Sequence, residues 1–292
     1  VGGAVRDALL GITCTDYDLC TNMPLIKVKE LFPNFHIMKP NNNRNTGVMR
    51  NNDIVVEISE YKGKTLLEDL SNRDFTMNAI AMDKDLTIID PYNGLESLNK
   101  KELSLIKKSG EAFQKDPLRI LRAIRIAAKM NFKIDDECKE EMLRNQDLLK
   151  NAAPERIYRE IIQILITDNP AKYIRENLEI FFQIIPELKT LQGFEQHNPW
   201  HIYDVLEHIL KVLDNVGDNY LLRIVALFHD IGKIETTKFI KGRYRSYNHD
   251  KVGKNVTKNI LINYMDEEKA NKIAEIVSFH MHHIYILKDL PF

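Results

Sequence analysis

Cysteine is scarce in this chain. Cys14, Cys20 and Cys138 are the only three in 292 residues. They are too few and too scattered for a disulfide framework or a cysteine zinc site, and they point to a reducing compartment, the cytoplasm. Long apolar runs are missing as well. No stretch approaches 18 consecutive apolar residues and no signal-peptide pattern opens the chain, so nothing in the sequence asks for a membrane. A dominant charge is also lacking. With 41 basic and 42 acidic residues the net charge is -1. No global field attracts nucleic acid, and any such binding must come from local basic patches.

What is present fits a globular protein. A hydrophobic content of 44% and a charged content of 28% are ordinary, and 292 residues suffice for two or three domains with a sizeable core. Residues 1–97 mix short helical signals with β-runs such as DYDL, GVMR, DIVVEIS and AIAMD. From residue 98 the pattern is almost purely helical, broken by Pro117, Pro154, Pro170 and Pro186. Eight of the nine histidines lie between 197 and 283, which marks a chemically distinct region. The expected organisation is α+β: a head with a mixed sheet over 1–97, an all-α neck over 98–190 and an all-α region over 191–292. The first residue already lies inside a motif, a strand is expected before Val1, and LKDLPF offers no closing element. The sequence reads as a fragment or as a chain with unseen ends.

The opening stretch, VGGAVRDALLGITCTDYDL, carries the first chemistry. AVRDALL predicts a short helix stopped by Gly11. In a strand, residues two apart share a face, so Asp16 and Asp18 point the same way and Tyr17 the other. Two carboxylates that close repel each other unless a cation sits between them, and hard oxygen ligands favour Mg²⁺. Two such ions can activate an attacking hydroxyl and stabilise the leaving oxygen of a phosphoryl transfer. Gly2 and Gly3 let backbone N–H groups approach a triphosphate, and Arg6, one turn on, is placed to reach the same phosphates.

Together these residues resemble the first motif of the class II nucleotidyltransferases, the family of bacterial CCA-adding enzymes, their CC- and A-adding relatives and poly(A) polymerases. The resemblance implies a small polymerase-β-like head, Mg²⁺, CTP or ATP as substrate and a tRNA 3′ end as acceptor. It makes Asp16 and Asp18 metal ligands and catalytic residues, with Glu57 in DIVVEIS as candidate third carboxylate. EDLSNRDFTMNAIAMD (68–83) is similar to the family's second motif, which makes Arg73, Asp74 and Asn78 sugar and phosphate contacts; Asn72 replaces the family's usual first arginine. QKDPLRILRAIRIAAKM (114–130) resembles the base-reading motif. Helical spacing puts Arg119, Arg122, Arg125 and Lys129 on one face, opposite Ile120, Leu121, Ile124, Ala127 and Ala128. Asp116, one turn earlier, can accept from the exocyclic amine of C or A. APERIYREIIQIL (153–165) resembles the last family motif, with Arg156 and Arg159 as candidate RNA contacts or as members of a salt-bridged helix. Eleven residues separate Glu57 from Asp69, where many relatives have a longer loop associated with the switch from C to A addition. A connection this short fits a CC-adding enzyme, and terminal A addition is not assigned.

The histidine-rich region resembles an HD domain. The resemblance makes His208 and the His229–Asp230 pair ligands of a transition metal (Mn, Ni, Fe or Zn), with His249 and His280 at positions of further ligands, and implies phosphoester hydrolysis. Asp266 and Asp289 are both candidates for a closing aspartate, and His201 for a second ligand or a helix-start residue; His282 and His283 have no assigned role. Two rival activities fit the same motifs: a poly(A) polymerase acting on general RNA, and a phosphohydrolase with a regulatory nucleotide-binding head.

Overall fold

The computed structural model describes residues 1–38, 45–107, 110–196 and 202–282. His201, His283 and Asp289 lie outside the described residues. Contacts divide the chain into two compact units: Val1–Ala112 with Phe132–Glu141, and Phe113–Asn131 with Met142–Phe292. The expected neck and histidine-rich regions therefore fall mostly within one unit.

The first unit is α+β. Helix α1 (Gly3–Leu9) ends before Gly11, which takes φ +71, the conformation that stops a helix. Strand β1 (Asp16–Thr21) follows, then α2 (Leu25–Leu31), β2 (His36–Ile37), β3 (Thr46–Asn51) and β4 (Ile54–Glu60). The sheet order is β1-β4-β3-β2, with β1 parallel to β4 and the other pairs antiparallel. One face of it is closed by Leu25, Val28, Phe35 and Ile58. Burying each such side chain stabilises by about 1.5–3 kcal/mol. Helix α3 (Leu66–Ser71) starts at Thr65, whose hydroxyl accepts from Glu68 N at 3.2 Å. A 3-10 turn over Thr76–Asn78 leads into β5 (Ala81–Met82), paired with β6 (Ile88–Ile89). Helix α4 (Gly94–Lys100) and β7 (Glu102–Leu103) complete the run, and β7 pairs with β8 (Lys133–Ile134).

The second unit is mostly helical. Between α5 (Glu111–Lys115) and β8 lies α6 (Arg119–Met130). Ile120, Leu121, Ala123, Ile124, Ile126, Ala127 and Ala128 of α6 are buried, and Arg119, Arg122 and Arg125 are half-buried along its other side, as the spacing predicts. After α7 (Asp136–Asn145), Pro154 opens α8 (Pro154–Leu165) at the position where a missing N–H costs nothing. Then come α9 (Pro170–Glu176), α10 (Leu178–Ile184) and α11 (Glu187–Leu191). The histidine-rich region holds α12 (Val205–Asn215), α13 (Tyr220–Phe228), α14 (Lys233–Thr236), β9 (Thr237–Ile240), β10 (Arg243–Ser246), α15 (His249–Leu261) and α16 (Glu267–Ser278). Asp204, Asn219 and Asp266 cap α12, α13 and α16 with their side chains. Asp266, a candidate closing ligand, thus serves as a helix cap.

The β9–β10 hairpin departs from the all-helical expectation. Lys241 and Gly242 both take positive φ, +50 and +79, the two-residue turn whose twist suits a hairpin. The flanking Thr, Phe, Ile and Tyr residues favour strands.

Candidate functional site

In the head, β1 and β4 pair in register with Asp16 opposite Val55 and Asp18 opposite Glu57. The period of two puts Asp16, Asp18 and Glu57 on one face of the sheet. Asp16 is exposed and Asp18 half-buried. Among the described residues, only the histidine-rich region gathers three ligand atoms within 4.8 Å of one another, so the head carboxylates share a face without closing into such a group.

The two head motifs are stitched together beside this face. Gly2 takes φ +68, and a Cβ there would lie 2.5 Å from Arg73 Nη1. Arg73 donates to Asp69 Oδ2 at 3.1 Å and to the Asn78 carbonyl at 3.5 Å, while its buried Nε has no hydrogen-bond partner. Asn78 Nδ2 donates to Asp74 Oδ1 at 2.9 Å, and Asn78 Oδ1 accepts from Arg6 Nη1 at 2.7 Å. Arg6 also donates through Nε to Asp7 at 2.7 Å and is only 8% exposed. Arg6, expected on the phosphates, is therefore a buried brace between the motifs. A Cβ on Gly3 would lie 3.5 Å from Arg6 Nη2 and 3.9 Å from Asp18 Oδ2. Asp69 was not singled out by sequence, although its position one helical turn before Arg73 was the signal.

In the second unit, Asp116 Oδ2 accepts from Arg156 Nη2 at 3.4 Å, and Arg125 Nε donates to Glu160 Oε2 at 2.7 Å. Three residues expected to read bases or RNA, Asp116, Arg125 and Arg156, are thus engaged in ion pairs. Arg159 is exposed.

The histidine cluster is the tightest site. Asp230 is 2% exposed and each of its oxygens faces two imidazoles. Oδ2 lies 3.3 Å from both His208 Nε2 and His229 Nε2; Oδ1 lies 3.3 Å from His249 Nε2 and 3.7 Å from His280 Nε2. His208 and His229 are 3.4 Å apart, and His249 and His280 are 3.0 Å apart, through Nε2 in each case. Three rings are turned inward by the same device. His229, His249 and His280 each donate Nδ1–H to the carbonyl three residues back, Ala226, Ser246 and Val277, at 2.7–2.8 Å. That proton placement leaves Nε2 available as a ligand. Donors held about 2.1 Å from one ion stand ~3.0–3.4 Å apart, the spacing seen here. Burial alone would raise the Asp230 carboxyl; His229, His249 and Lys233 outweigh it and hold it well below the usual range. Burial lowers His280, which favours the neutral imidazole. Oδ2 of Asp230 is buried without a well-formed hydrogen bond, although Lys233 Nζ stands 2.7 Å away. Lys233 is itself buried and donates to Gln196 Oε1 at 2.7 Å. Sequence reading missed both; Lys233 lies three residues after Asp230. Gly232 lets the turn approach α15, since a Cβ there would lie 2.5 Å from Gly253 N.

Comparison with known proteins agrees with this layout. Family models match in order: the poly A polymerase head domain over residues 1–104, the probable RNA and SrmB-binding site of polymerase A over 131–191, and the HD domain over 200–288. The multifunctional CCA protein of Shewanella frigidimarina is 30% identical, with 95% of this chain and 72% of that protein covered. That of Psychromonas ingrahamii is 31% identical, with 99% and 75% covered. The chain belongs to the CCA-adding enzyme family. Other curated members of this CCA-adding family are spanned over less of their length, as with that of Nitrosospira multiformis, 33% identical with 61% covered. A solved tRNA-processing enzyme in an apo form shares the fold with a TM-score of 0.69 and 25% identity, over 100% of this chain and 80% of that one. A tRNA nucleotidyltransferase solved with a primer tRNA and an ATP analogue shares it with a TM-score of 0.66 at 23% identity, over 100% and 83%. Head and HD families of this kind are metal-dependent.

Among the described residues, no helix is long and apolar enough to cross a membrane.

Proposed function

We propose that this CCA-adding family member adds C, A or both, without a nucleic-acid template, to the 3′ end of tRNA in the cytoplasm. The observation that carries the reading is the head arrangement: Asp16 and Asp18 on one strand face, with Glu57 in register, beside the Gly2–Arg73–Asn78–Arg6 net. The hard carboxylate set fits Mg²⁺. Mg²⁺ bound there supplies activation of the attacking 3′ hydroxyl and charge neutralisation on the triphosphate.

The protein's own part is positioning and charge stabilisation. Arg73, held beside Gly2 by Asp69 and the Asn78 carbonyl, contacts the phosphates; Asp74 and Asn78 fix the motif that holds the sugar; Arg6 holds Asn78 in place. In the helical unit, Asp116 offers an acceptor and Arg119 and Arg122 offer donors for the edges of C and A, with Arg156 holding Asp116 and Glu160 holding Arg125. Arg159, exposed on α8, contacts RNA phosphates. The head, neck and HD regions divide at about residues 97 and 190.

The HD region is a second, metal-holding centre. Asp230 offers one oxygen to the His208–His229 pair and the other to the His249–His280 pair, and these five residues would hold metal there. Imidazole with carboxylate selects Mn, Ni, Fe or Zn, which supply hydrolytic power toward phosphoesters.

The deciding experiment is extension of tRNA lacking its 3′ CCA with CTP alone, ATP alone and both, reading product length. Addition of C residues, with or without a terminal A, is the expected result. Extension of any RNA by ATP alone assigns a poly(A) polymerase. No extension alongside phosphatase activity makes the HD centre the principal activity.

A further inference from the structure

The β9–β10 hairpin has no role in any reading above, yet its composition is unusual. Residues 236–249 contain Lys238, Lys241, Arg243 and Arg245 and no acidic residue. None of these four cations is in an ion pair with a described residue. Register places Lys238 directly opposite Arg245, and Ile240 opposite Arg243. One face of the hairpin thus carries Lys238, Ile240, Arg243 and Arg245, and continues to Tyr247. Like charges facing each other across a strand pair destabilise it, so a cationic face of this kind is suited to an anion lying along it. Aromatic surface accompanies the charge. Tyr247 is 55% exposed, and the Arg245 guanidinium lies 5.5 Å from its ring centroid and donates through Nη1 to its hydroxyl. On the other face Phe239 and Tyr244 pair edge to face at 5.2 Å.

Both ends of the hairpin are tied to the histidine centre. Thr237 Oγ1 donates to the carbonyl of Lys233, the residue beside Asp230, at 2.7 Å. The Ser246 carbonyl accepts from His249 Nδ1 at 2.7 Å. A Thr237–Ser246 hydroxyl bond at 2.7 Å closes the base. Whatever lies on the cationic face is therefore held in fixed relation to Asp230.

We propose that the Lys238–Arg243–Arg245–Tyr247 face of this hairpin binds single-stranded RNA and presents its phosphodiester end to the HD centre. Cations spaced along a strand match successive phosphates, and an exposed tyrosine beside an arginine is a stacking platform for a base. An acidic peptide would meet the charge but not use the ring. The proposal extends the RNA-processing reading to a second site and requires no activity of either centre.

The test uses the full chain and a fluorescent single-stranded RNA of about twelve nucleotides, a length within the usual span of such sites. Binding is followed by anisotropy over a range of salt. Lys238→Gln with Arg243→Gln is expected to weaken binding about tenfold and to flatten the log–log salt dependence by ~1.4, at about 0.7 per phosphate contact. Tyr247→Ala is expected to weaken binding several-fold with the salt slope unchanged. The control, Lys269→Gln with Lys272→Gln on α16, removes the same charge elsewhere and is expected to bind as the parent does. Unchanged affinity and slope in the hairpin variants, an equal loss in the control, or equal binding of polyglutamate would overturn the proposal. Extension of tRNA with CTP, measured on the same preparations, reports separately on the head.

Discussion

Gly2 and Arg73 occupy each other's space: a Cβ on Gly2 would lie 2.5 Å from Arg73 Nη1, at a backbone φ of +68. The bare residue of the first motif is thus what admits the arginine of the second. Gly2→Ala is expected to push Arg73 off Asn78 and to cut nucleotide addition at least tenfold. The strained φ adds a stability cost of about 1 kcal/mol. Single-turnover extension and thermal unfolding of the same variant separate the two effects.

Asp16→Ala and Asp18→Ala are each expected to abolish addition while leaving the melting temperature within a few degrees of the parent. The two side chains are exposed and half-buried, and they anchor no core residue. Addition retained by either variant would remove the paired-carboxylate assignment.

The Arg125–Glu160 pair is measurable as structure. Its side chains are 26% and 18% exposed at 2.7 Å, between a surface pair and a buried one. Arg125→Ala is expected to cost about 1–2 kcal/mol in urea unfolding. Arg156→Ala, with 47% of its side chain exposed, is expected to change stability by less than ~1 kcal/mol. Its effect belongs on the KM for CTP and ATP, which is expected to rise several-fold once Asp116 is unheld.

Metal analysis of the chain after incubation with Mn²⁺ or Ni²⁺ is expected to return up to two ions in the HD region. Asp230→Asn is expected to abolish that uptake and the accompanying rise in melting temperature, since binding to the native state alone stabilises it. Equal metal content in the variant would exclude Asp230 as a ligand.

Much of this was legible in sequence. The shared face of Asp16 and Asp18 follows from the two-residue period of a strand, and the buried side of α6 follows from helical spacing. His208, His229, Asp230, His249 and His280, which the motif resemblance singled out, lie together in the fold. Contacts across long separations were not legible. Arg6 was expected on phosphates, but its partner Asn78 is 72 residues away. Arg156 and Asp116 meet across 40 residues. The β9–β10 hairpin lies in a region expected to be all-α; its Thr, Phe, Ile and Tyr residues favour strands and Lys241–Gly242 supplies the turn, local signals that the helical pattern around them outweighed.

The carbonyls of Ala226, Ser246 and Val277 settle the tautomers of three histidines before any ion arrives. Capture at that centre then requires no ring flip and no refolding. If metal binds there, a chelated preparation is expected to keep its shape and to reload without refolding.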